Sequence, residues 1–157
     1  MNEINMVANK DKSPETTIKD FELILSDSGQ IQAKSSAPLM NRYDVEKPYV
    51  EWPKGIKVLF YDTSMNVDAR LSANYAISYE KDKIMIAKNN VIVVNVKGEQ
   101  LNTEHLVWDQ RKRIITSDVF VTITTKDEVL YGQGMEADDQ FYSWKIKRPT
   151  GVFNIKK

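Results

Sequence analysis

The chain contains no cysteine among its 157 residues. Disulfides, cysteine-bound zinc, iron–sulfur clusters and thiol nucleophiles are thereby excluded. Histidine is nearly absent too: His105 stands alone, so no histidine pair can complete a transition-metal site. Neither sign of charge is in excess, because 22 Lys plus Arg balance 22 Asp plus Glu. Such a chain lacks the basic footprint of a nucleic-acid binder and the polybasic patch that holds proteins on anionic membranes. Long apolar runs are missing. The longest aliphatic one, Val91-Ile92-Val93-Val94, is far too short for a membrane span. The opening Met1-Asn2-Glu3-Ile4-Asn5-Met6 has neither the basic start nor the apolar stretch of a signal peptide. Helical periodicity is the last absence, and with it goes any expectation of a helical domain.

What is present is alternation. In Leu71-Ser72-Ala73-Asn74-Tyr75-Ala76-Ile77-Ser78-Tyr79-Glu80, the residues Leu71, Ala73, Tyr75, Ile77 and Tyr79 fall on one face of a strand with a wet opposite side. Residues 142–147 repeat the pattern, with Tyr142, Trp144 and Ile146 inside. Residues 56–61, 91–96 and 119–123 are β-branched or aromatic runs, also strand-like. Turn signals separate them: Ser28-Gly29, Pro53-Lys54-Gly55, Lys81-Asp82-Lys83, Asn89-Asn90, Lys97-Gly98, Lys126-Asp127 and Thr150-Gly151. The fold class is all-β. Residues 1–17 are polar and aperiodic and read as a flexible tether. Residues 18–157 have the length of one domain.

A weak repeat runs through that domain. Leu71 and Leu101, Ala73 and Thr103, Ile84 and Ile114, and Val91 and Val121 are each 30 residues apart. A further copy starts at Met135-Glu136-Ala137 and a degenerate one runs from Ala37 to Val58. Each unit is two strands, and stacking such units buries a continuous core. The expectation is a roll of stacked antiparallel hairpins with two exposed ends. Residues that the repeat brings into register on one face are Val58, Phe60, Ile84, Ile86, Val91, Val93, Val121 and Ile123, the candidate interior lining. The exposed ends fall on Phe21, Leu23 and Leu25 at one side and Val152, Phe153 and Ile155 at the other.

Nothing assembles into a catalytic site. In a strand, Glu104 and His105 point to opposite faces, and His105 reads as structural. Glu136, Asp138 and Asp139 lack calcium-loop spacing and read as a solvated turn. Gly132-Gln133-Gly134 opens no helix, so it reads as a bulge or a close backbone approach rather than a dinucleotide loop. Trp52, Trp108 and Trp144 sit within apolar strand faces and read as core. No enzyme, metal or cofactor is expected. Two other readings stay open: a carbohydrate-binding β-sandwich, which needs one of those tryptophans exposed, and a ligand-free structural β-module.

The order of short motifs carries a resemblance. Residues 71–76, 90–93 and 98–109, the last reading Gly-Glu-Gln-Leu-Asn-Thr-Glu-His-Leu-Val-Trp-Asp, resemble the OstA-type repeats of lipopolysaccharide-transport proteins. With Ile-x-x-Ser-Asp-Val at 114–119 and Gly-x-Gly-Met-x-Ala-Asp at 132–138, the order is similar to the LptC family in its Bacteroidetes-like form. Residues 21–29, 37–40 and 52–55 extend the similarity over nearly all of the chain after residue 20. The resemblance implies a twisted, open-ended β-jellyroll that takes lipopolysaccharide acyl chains into an apolar interior. It implies a periplasmic location, an N-terminal inner-membrane anchor, and transfer of lipid from an ABC transporter to the next bridge protein of the same fold. None of these 157 residues supplies that anchor, and truncation is the expected reason. On this reading the transporter's periplasmic domain docks at the N-terminal edge and the bridge protein at the C-terminal edge. The family has no catalytic residues to carry over.

Overall fold

Eleven strands and no helix make up residues 13–155, the part of the chain described by the computed structural model. They are β1 (Thr16–Asp27), β2 (Gln30–Tyr43), β3 (Tyr49–Trp52), β4 (Ile56–Tyr61), β5 (Val67–Ala73) and β6 (Tyr75–Tyr79). β7 (Ile84–Asn95), β8 (Gln100–Asp109), β9 (Ile114–Thr124), β10 (Glu128–Asp138) and β11 (Trp144–Asn154) follow. Most of the expected tether lies outside the described residues. Its end does not, because Thr16 and Thr17 pair with Arg42 and Asn41 at the start of β1.

All pairings are antiparallel, in the order β11-β10-β9-β8-β7-β5-β4-β2-β3-β6, with β1 on β2 and β6 returning to β7. The branching shows how the sheet folds over. β2 pairs with β4 through residues 33–36 and with β3 through residues 41–43. β7 pairs with β6 through residues 84–88 and with β5 through residues 92–95. A long strand therefore gives one half of its length to each of two facing layers, and a crease runs between them.

The crease explains where local sequence reading slipped. Asn89 and Asn90 form no turn; they lie inside β7 with φ of 68° and 55°, and bend it from one layer into the other. Asparagine tolerates that left-handed conformation better than other side chains except glycine. Thr150-Gly151 likewise lies inside β11. Asn74 separates β5 from β6 and donates its N–H to the Asn89 carbonyl at 2.9 Å. Alternation changes phase there: Leu71 and Ala73 are buried, but beyond the crease Ala76 is buried instead. Tyr75, Ile77 and Tyr79 are half-buried on the outer face. The outer tyrosines form a cross-strand ladder, with Tyr43 stacked on Tyr49 at 4.8 Å and Tyr49 tilted against Tyr79 at 6.1 Å. Gly132 and Gly134 sit at bulges in β10. A Cβ on Gly132 would meet Ile146 Cγ2 at 2.2 Å and the Arg148 carbonyl at 2.8 Å, so the backbones approach too closely there for any side chain.

The repeat is real in three dimensions. Leu71, Val93, Leu101 and Ile123 are successive cross-strand neighbours, all nearly inaccessible. Lys83 and Arg113, 30 residues apart, close equivalent hairpins with φ of 56° and 58°. The fold is the expected open-ended roll, and its two ends are β1, paired only with β2, and β11, paired only with β10.

Candidate functional site

Between the layers, at the end nearer β1, lies an apolar groove of about 310 Å3. β1 and β2 supply Phe21, Leu25 and Met40, β3 and β4 supply Val50, Trp52 and Val58, and β7 and β8 supply Met85 and Trp108. Its rim is charged, with Arg42, Glu80 and Lys83 bordering the opening. Arg42 Nη1 lies 2.6 Å from Glu80 Oε2, and that hydrogen bond and charge raise the Arg42 pKa further above its ordinary value. The volume is at the lower end of ligand pockets.

Of the eight candidate lining residues, Val58 borders this groove. Phe60, Val91, Val93, Val121 and Ile123 face the interior but lie in its packed part, each at most 2% exposed. Phe60 meets Trp108 edge-on, ring centroids 5.1 Å apart. Ile84 and Ile86 are on the other face: they are half-buried outside, while the alternating Met85 and Ala87 point in. In the run Ile84-Met85-Ile86-Ala87 every residue is apolar, so periodicity could not choose the face. Met40, Val50, Trp52, Ile56, Met85 and Trp108 are apolar groove residues that sequence reading missed as such.

Beyond Trp108, residues 139–143 link β10 to β11 and pack against the roll. Phe141, with φ of 58°, is completely buried between the layers. Its carbonyl accepts from Asn95 Nδ2 at 2.9 Å, and Gln140 Nε2 donates to the Tyr61 carbonyl at 3.0 Å and to Asp68 at 3.2 Å. Of the acidic cluster expected to be a solvated turn, Glu136 is exposed and Asp138 half-buried, but Asp139 is buried. Asp139 is 5% exposed and accepts from Trp108 Nε1 at 3.3 Å and from Arg113 Nε at 3.2 Å. A carboxylate can be buried only with such partners. Tyr142 is exposed rather than inside, and its O–H donates to Asp68. That bond, then burial, pushes the Tyr142 pKa up from about 10 to about 12. The sign follows: the unfolded tyrosine releases its proton near pH 10 and the folded one near 12. The stabilisation is therefore complete below pH 10 and lost as pH rises to about 12. Tyr142→Phe is expected to be less stable than wild type in urea at pH 8, with the gap narrowing between pH 10 and 12. A gap independent of pH would show that this bond does not hold the link.

The tryptophans form no exposed sugar platform. Trp52 and Trp108 are buried, and half-buried Trp144 donates Nε1 to Glu99 at 2.8 Å. Trp52 differs from the other two, since its indole N–H is buried with no acceptor within reach among the described residues. Leaving such a donor unmade costs about 1–3 kcal/mol. The described residues contain no group of histidine or acidic side chains able to hold a metal ion, and no helix long and apolar enough to cross a membrane.

A creased roll of stacked antiparallel hairpins, with an apolar groove between its layers and a free strand at each end, defines an open-ended β-jellyroll. Residues 2–147 match the family described as "Lipopolysaccharide-assembly, LptC-related", and the chain belongs to that family. The family acts in lipopolysaccharide transport and assembly. A search of curated proteins finds no match.

Proposed function

We propose that this protein holds the acyl chains of lipopolysaccharide in the groove between its layers and passes the lipid along a chain of like-folded modules. The supporting observation is the groove itself: an apolar interior left open beside β1, bordered by Arg42 and Lys83. Each methylene buried there contributes about 0.8 kcal/mol, which makes a shielded path far better than open water for an acyl chain. Arg42 at the opening is already paired with Glu80 and Asp44, which leaves Lys83 as the rim cation for an anionic lipid headgroup. In this reading an ABC transporter's periplasmic domain adds a strand to β1, beside Phe21, Leu23 and Leu25. The next bridge module adds one to β11, beside Val152, Phe153 and Ile155. Main-chain hydrogen bonds hold both junctions, and the apolar interiors then run end to end. An N-terminal anchor keeps the protein at the inner membrane.

Adjacent residues of β7 provide the test. A photo-crosslinking residue at Met85, on the groove, is expected to capture lipopolysaccharide in cells, and one at Ile86, on the outer face, is not. Equal capture at the two positions, or none at Met85, would sink the proposed path.

A further inference from the structure

We infer that Phe21 is a displaceable partition of the groove, and that the Trp52 indole N–H behind it donates to an ester or amide carbonyl of an acylated lipid. This rests on the groove being the lipid site. Three observations lead to it. The first is the orphan donor. Of three indoles, Trp108 donates to Asp139 and Trp144 to Glu99, whereas buried Trp52 has no acceptor among the described residues. Buried tryptophan N–H groups ordinarily find one. An alkyl chain has no acceptor to offer, but the carbonyl at the root of an ester- or amide-linked chain does.

The second observation is what covers Trp52. The Phe21 ring lies across it, tilted by 59°, with centroids 5.7 Å apart. Phe21 is the only fully buried side chain among the twelve residues of β1, with Leu25 half-buried beside it, so few side chains anchor the strand over the groove. The ladder is interrupted beside it. The neighbouring Asp20 has a φ of 52° and no partner in the β1–β2 register, where it falls opposite Pro38, a residue with no N–H to give.

The third is that there is space on both sides. Along the crease runs a second, more open cleft of about 590 Å3, bordered by Pro38, Lys54, Lys57 and Asn74. Phe21 and Ile56 are the residues common to its wall and to that of the groove. When the Phe21 side chain turns toward the crease cleft, the two spaces join at Trp52. An acyl chain then lies in the apolar groove with its carbonyl at the indole N–H and its headgroup toward the crease. Phe21 fills, in the empty protein, the place of the first methylenes of that chain.

A matched pair of lipids isolates the carbonyl: dipalmitoyl phosphatidic acid and its ether-linked dihexadecyl counterpart, presented in the same detergent. In wild-type protein, the ester lipid is expected to move the Trp52 indole N–H cross-peak downfield, and the ether lipid to bind without that shift. Trp52→Phe keeps an aromatic ring at the site and removes the donor. It should weaken the ester lipid about tenfold more than the ether lipid, the difference being one lost hydrogen bond. Phe21→Ala should tighten both lipids equally, since the closed population no longer competes. If both lipids bind but the Trp52 peak stays still, or Trp52→Phe weakens both alike, the carbonyl assignment fails and the groove reading stands. Weaker binding of both lipids by Phe21→Ala would make Phe21 a fixed wall. Binding of neither lipid by wild type would overturn the groove reading and this inference together.

Discussion

Phe141→Ala is expected to lower the stability of the protein by about 3–5 kcal/mol, the usual cost of emptying a phenylalanine site that cannot collapse. The reason is the way residues 138–143 are held. Phe141 has no exposed surface, and polar groups on both layers fix its backbone: Asn95 on its carbonyl, Asp68 on Gln140 and Tyr142, and Arg113 with Trp108 on Asp139. With the link pinned, the backbone cannot follow the shrinking side chain, so a cavity remains. A urea titration followed by far-UV circular dichroism measures the loss. Phe120→Ala is the control, because that ring is half-exposed and only stacks on Tyr131 at 6.1 Å; its cost should stay near or below about 1 kcal/mol. The variant should also take up an apolar fluorescent dye, since Phe141 is completely buried between the layers. A loss for Phe141→Ala no greater than the control's would mean that the link packs onto the roll without stabilising it.

A proline in β11 is expected to separate docking from folding, and the ladder decides where it must go. Ile155 donates its N–H to the Asp127 carbonyl at 2.9 Å, which directs that N–H toward β10. Residues 152–154 pair in unbroken register with residues 128–130, and N–H direction alternates along an antiparallel strand. Phe153 therefore also donates toward β10, whereas Val152 and Asn154 present theirs to the open edge. Phe153→Pro would break the protein's own ladder. Val152→Pro removes only an outward donor, and its neighbour Gly151 has no side chain to clash with the ring. We expect Val152→Pro to unfold within about 0.5 kcal/mol of wild type yet lose at least tenfold in affinity for the next bridge module. Phe153→Pro should lose about 1–3 kcal/mol of stability as well. Unchanged binding by Val152→Pro would rule out strand addition at this edge.

The exposed side chains of β11 bear on the same point. Val152, Phe153 and Ile155 are 58%, 60% and 45% exposed, a density of apolar surface that an unprotected edge strand rarely carries. Lys145 and Arg148 lie on the same strand and are exposed. Charges of this kind discourage indiscriminate pairing without preventing a complementary partner from docking.

Much of the architecture is written locally. Period-2 alternation in residues 71–80 and 142–147, β-branched and aromatic runs at 56–61, 91–96 and 119–123, and the short Gly- and Asp-bearing turns between strands were enough for an antiparallel, all-β chain. The 30-residue spacing of Leu71 with Leu101 and of Val91 with Val121 was enough for a stack of like units, because cross-strand neighbours in such a stack must be alike. The order of motifs carried the family. Three things were not local. The inward face of residues 84–87 could not be read, since an unbroken apolar run has no polar residue to mark its outside. The phase change at Asn74 and the left-handed Asn89 and Asn90 could not be read either, because turn residues look the same whether they reverse a strand or crease it. Nor could the burial of Asp139 and the role of Phe141, whose partners Trp108, Asn95 and Arg113 are distant in sequence. Whether an apolar interior is a sealed core or an open groove depends on how far apart two layers sit, a distance set by all the side chains packed between them. Alternation along one strand fixes which residues face inward; only the separation of the layers decides what they face.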